Sequence, residues 1–174
     1  MKRFTFFILT LSISLTLFAK TNKALNDSVE IKNIGHEILN GTNISQIDED
    51  YIYKLISNII IKDSVDRAFY FKVFEIIYQQ LPEYVAQGEH EFMPTWINTY
   101  IKLYCLNYPN DFFNLTDTRI SKFALEIGEL LKSQEEDPKG YAKEYLAKIK
   151  EKCNSEYLEK FELFSKNLIM TIDK

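Results

Sequence analysis

Apolar residues recur at helical spacing along most of the chain, and strict alternation is never sustained. Ile47, Tyr51, Ile52, Leu55, Ile56, Ile59 and Ile60 mark one face of an α-helix. Ser45 is placed to cap that helix, and Asp48, Glu49 and Asp50 suit its positive N-terminal end. Before it, Ile31, Ile34 and Ile38 predict a helix over 28–39 that ends in the Asn40-Gly41 turn. After it, Asp63 is placed to cap a helix from Ser64 to about Leu81, where Pro82 interrupts the pattern. Pro94 opens a fourth helix, and Pro109 ends it after Tyr108. A fifth begins at Asp117 or Thr118, with Ile120, Phe123, Ala124, Ile127 and Leu131 facing inward. Pro138 opens a sixth, with Tyr141, Ala142, Tyr145, Leu146, Ile149 and Cys153 on one face. The last is capped by Asn154 or Ser155 and turns Leu158, Phe161, Phe164 and Leu168 inward.

The third and fourth helices differ from the others because apolar residues cover most of their circumference. A helix of that kind is enclosed by neighbours on several sides. The expectation is that segments 64–81 and 94–108 pair back to back at the centre. They also echo each other, YFKVFEIIY at 70–78 against YIKLYCLNY at 100–108. The fold class expected is all-α: about seven antiparallel helices in one domain, as an irregular bundle or a short HEAT/TPR-like α–α array.

The first nineteen residues change the picture of where the chain works. Lys2 and Arg3 precede an apolar run from Phe4 to Ala19 and then the polar TNK. That is the layout of a signal peptide, and the run is shorter than the ~20 apolar residues of a spanning helix. The organisation expected is a signal peptide at 1–19 and an all-helical domain at 20–174. The protein would be exported to the periplasm or the extracellular space, with no stable membrane anchor after cleavage. Nineteen residues fewer than 174 leave 155, enough for one core. Without Lys2 and Arg3, 19 basic residues face 25 acidic ones, a net charge of −6. An acidic surface without a basic aromatic stripe argues against nucleic-acid binding.

Little catalytic chemistry is legible. His36 and His90 open no HExxH, and the five glycines form no phosphate loop or nucleophile elbow. No cofactor and no metal site is expected. Two cysteines, Cys105 and Cys153, permit a disulfide in an exported chain, and equally two buried thiols. The stretch with the most recognition chemistry is PEYVAQGEHEFMP, residues 82–94, which links the two central helices and holds Gly88 as a hinge or left-handed position. It offers Tyr84, Glu89, His90, Glu91 and Phe92, with Trp96 one turn further on. Rings beside carboxylates suit a protein partner's basic patch. The bland alternative is that these rings pack down as a lid while the charges stay in water. The function expected is therefore a non-enzymatic binding protein, of which an immunity or inhibitor protein is one concrete form. A hydrolase of envelope glycans or peptides and a carrier of a small apolar ligand are the alternatives.

Overall fold

The computed structural model describes residues 27–88 and 90–174, so the expected signal peptide at 1–19 lies outside the described residues. Helix α1 covers 27–39. It is followed by α2 (Glu49–Ser57), α3 (Ser64–Ala86), α4 (Met93–Asn107), α5 (Pro109–Phe113), α6 (Asp117–Gln134), α7 (Pro138–Lys152) and α8 (Leu158–Ile172). Single 3₁₀ turns stand at Ile44–Gln46, Asn58–Ile60 and Ser155–Tyr157. There is no strand among the described residues, and the fold is all-α.

Short polar side chains set the helix starts by accepting from backbone N–H groups that have no partner within the helix. Asp63 accepts from Asp66 N at 2.9 Å, Thr116 from Arg119 N at 3.4 Å and Asp137 from Gly140 N at 2.9 Å. The cap expected at Ser45 stands elsewhere. Asn43 accepts from Ser45 N and starts a 3₁₀ turn, and α2 begins later, capped by Asp48. That turn is tied to α3, whose Gln80 accepts from Ile44 N at 2.9 Å.

One proline reading needs correction, and another needs an addition. Helix α3 does not stop before Pro82 but continues through it to Ala86. Pro82 sits on the exposed side, where water can reach the carbonyl left without a donor, while Leu81 and Tyr84 extend the buried face. Pro109 does end α4, but it also opens α5, a five-residue helix that the sequence pattern did not predict. Helix α5 carries Phe112 and Phe113, both fully buried.

These two rings help build the centre of the molecule. Phe112 meets Phe123 of α6 at 6.0 Å and Phe164 of α8 at 5.5 Å, and Phe123 meets Phe74 of α3 at 6.4 Å. The rings touch edge-on or tilted, as their quadrupoles favour. The expected central pair of α3 and α4 is not the main helix pairing. The two helices do meet, with Phe71 stacked on Tyr104 at 4.6 Å, but α3 packs more on α2 and its following turn than on α4, and also meets α1 through His36 and Phe69, while α4 packs more on α6. Among the pairings of α2 to α8, the most extensive is α6 with α8. Gly128 makes it close: a Cβ there would stand 2.8 Å from Thr171. Apolar residues around α3 and α4 are buried by several neighbours each, which satisfies the pattern without joining the two helices along their length.

The sequence echo does not mark equivalent contacts. Tyr78 donates to Glu126, whereas Tyr108 reaches the carbonyls of Ile60 and Ile61, each at 3.2 Å. Each ring is at least half-buried and its hydroxyl finds an acceptor, which is the ordinary behaviour of tyrosine in a helical core.

Candidate functional site

The predicted recognition residues sit where the end of α3, the connection at 87–92 and the start of α4 meet α2. Tyr84, on the last turn of α3, is only 6% exposed. His90 stacks on it, ring centroids 3.9 Å apart and planes 15° from parallel. His90 Nδ1 is 3.4 Å from Glu49 Oε1, on the first turn of α2, and forms no hydrogen bond. Of the two roles expected for Gly88, hinge or left-handed position, it does not take the second: the positive φ among the described residues belongs to Gly41. Its lack of a side chain serves instead to admit the imidazole, because a Cβ there would lie 3.1 Å from His90 Nε2.

The remaining rings face outward. Phe92 is 71% exposed, and Trp96 is 38% exposed. Trp96 is supported from below, meeting Tyr53 of α2 edge-on at 5.2 Å and Tyr100 at 5.1 Å. Glu91 is exposed, and Glu89 lies outside the described residues. Tyr84, Phe92 and Trp96 lie close together in the sequence. The structure divides them: Tyr84 belongs to the core, Phe92 to the surface, and Trp96 to the boundary.

Glu49 belongs to this site, and the sequence did not assign it there. Its place in the run Asp48-Glu49-Asp50 has a sufficient local explanation in the helix N-terminus, and only the tertiary fold puts it beside His90. A cleft of about 310 Å³ opens here, lined by Ser45, Ile47, Glu49, Tyr84, Gln87 and His90. Among the described residues, no lysine or arginine forms an ion pair with Glu49. Burial, aided by the nearby carboxylate of Glu49, pushes the Tyr53 phenol up to about 12. Burial and then Glu49 and Asp48 likewise raise Tyr84. Both phenols therefore stay neutral donors at physiological pH.

A second cleft, about 390 Å³, lies between α3, α4 and α5, with Arg67, Lys72, Glu75, Tyr104, Asp111 and Asn114 among its walls. Arg67 is committed to the fold. Its side chain is 9% exposed, and it donates to the carbonyls of Ile61 (3.1 Å) and Lys62 (3.0 Å). It also donates twice to Asp111 Oδ2, at 3.0 and 2.8 Å, with its guanidinium 3.8 Å from the centre of the Tyr108 ring. A buried guanidinium needs that degree of satisfaction. The two carboxylates of this cleft each face an arginine, Asp111 with Arg67 and Glu75 with Arg119 at 3.7 Å.

Cys105 is buried and Cys153 half-buried, both as free thiols, and burial raises both above the ordinary thiol range. Neutral thiols are weak nucleophiles. Among the described residues no three histidine, cysteine or acidic side chains group as metal ligands, and no helix is long and apolar enough to cross a membrane. No protein-family model, curated protein or solved structure matches this chain.

Proposed function

We propose that this is an exported, non-enzymatic binding protein that engages a protein partner through the start of α4 and the connection before it. Phe92 carries the proposal. It is a large apolar ring held 71% in water at the head of a helix, while five other phenylalanine rings among the described residues are fully buried. Exposed aromatic anchors flanked by polar groups are typical of binding surfaces. Trp96, propped on Tyr53 and Tyr100, extends the apolar strip, and Glu49 and Glu91 supply an acidic border. Glu49 and Trp96 stand on helices, and Phe92 is tied to the first turn of α4 by Trp96 N, which donates to its carbonyl at 3.0 Å, so the surface is stiff and loses little entropy on docking. An immunity or inhibitor protein, occupying an enzyme's cleft, is the concrete form this reading takes.

The hydrolase alternative has less support because the carboxylates of the second cleft are each matched with an arginine. The carrier alternative has less because contacting phenylalanine rings occupy the centre between α3, α5, α6 and α8.

The test is capture from extracts of the native host on the immobilised full chain, comparing wild type with Phe92→Ala. A partner retained by the wild type and lost by the variant, at unchanged helical content, supports the proposal. Retention by both removes this surface from the interaction.

A further inference from the structure

We infer that the cleft between the start of α2 and the end of α3 receives one basic side chain, a lysine or arginine, of the protein partner. The inference rests on the binding function proposed above and specifies the partner's chemistry.

Glu49 is the starting point. Its side chain is 38% exposed and opens onto a concave space of about 310 Å³. Among the described residues, the lining contains no lysine or arginine. The one lysine of α2, Lys54, lies instead over the Tyr51 ring at 4.9 Å. Among the described residues, the titratable groups nearest to Glu49 on the facing elements are His90 of the connection, Tyr84 of α3 and Tyr53 and Asp48 of α2. None of the four carries a fixed positive charge.

His90 does not supply the missing donor. Its Nδ1 lies 3.4 Å from the carboxylate without a hydrogen bond, and the nitrogen is itself enclosed. The ring is held in place by Tyr84, so it acts as a wall. The open oxygen surface of Glu49 is therefore a charged acceptor in a ring-walled recess, which an incoming ammonium or guanidinium satisfies with charge-assisted hydrogen bonds. The hydroxyl of Ser45 and the amide of Gln87, both in the lining, offer further acceptors.

The surroundings favour the same sign. Asp48, Asp50 and Glu91 are all exposed next to the lining residues Glu49 and His90. Beside them the apolar strip of Trp96 begins, its ring in contact with Tyr53, which in turn approaches Glu49. A partner segment with a basic residue next to an apolar one would fill both features at once. An acidic or phosphorylated segment would meet only repulsion.

The test uses carboxyl and imidazole NMR signals of the full chain during titration with N-acetyl-arginine amide. N-acetyl-citrulline amide, the neutral isostere, is the control. The expected result is a saturable shift at Glu49 and His90 with the arginine probe, at least tenfold stronger binding than the citrulline probe, and loss of the effect in Glu49→Gln. Gln has nearly the shape of Glu without its charge, so this variant tests charge and leaves the fold alone. Equal shifts from both probes, or shifts that persist in Glu49→Gln, overturn the inference. Capture of a partner that is abolished by Phe92→Ala but unaffected by Glu49→Gln also overturns it, while leaving the binding function in place.

Discussion

Tyr84 and His90 lie ring on ring, 3.9 Å between centroids, so the chain leaving α3 folds back onto the last turn of the helix it has just left. The backbone closes the same bend: Gln87 N donates to Tyr84 O, and Met93 N donates to His90 O to begin α4. The connection is thus pinned at both ends, and Phe92 is held outward by a fixed backbone.

Tyr84 and Phe92 should therefore respond oppositely to truncation. Tyr84→Ala removes a buried ring and the support of His90, and should cost about 3–5 kcal/mol of stability. Phe92→Ala should stay within about 0.5 kcal/mol of wild type. Urea unfolding followed by circular dichroism measures both, and equal losses would show that the two rings share one environment.

What was legible in the sequence was local. Asp63 capping α3, Pro138 opening α7 and Asp117 beginning α6 are each decided by a few neighbouring residues, and the structure has each where the pattern places it. Pro82 was misread because local rules weigh its missing N–H but not the burial of Tyr84 two residues later. Helix α5 was missed because five residues are too few for a periodicity to register. The dominance of α6 and α8 depends on Gly128 meeting Thr171, a pairing across 43 positions that no local pattern reveals. The same limit applied at the candidate site. Tyr84, His90, Phe92 and Trp96 are close in sequence, so one stretch offers them together, whereas Glu49 arrives from another helix.

Glu126 makes stability depend on pH. Burial raises its carboxyl above the usual 4.5, partly offset by the hydrogen bond from Tyr78 and by Lys122 and Arg119, and its Oε2 is enclosed without a partner. A raised native value means that the folded chain binds this proton more tightly than the unfolded chain does. The stabilisation is complete below the unfolded value and is lost as pH rises through the native one. Glu126→Gln keeps an acceptor for Tyr78 without the charge. The variant should equal or exceed wild type in stability at pH 7, and its advantage should shrink towards pH 4.5. Urea midpoints across pH 4–8 test this, and an advantage that grows on acidification would contradict it.

Trp96 is the chain's single tryptophan and forms part of the proposed docking surface, so its fluorescence reports on that surface alone. In the free protein its emission should be open to acrylamide. On addition of the captured partner it should shift to the blue and lose most of its quenching, provided a partner free of tryptophan or labelled with a tryptophan analogue is used. Emission and quenching that do not change while the partner is bound would place the interface elsewhere on the molecule.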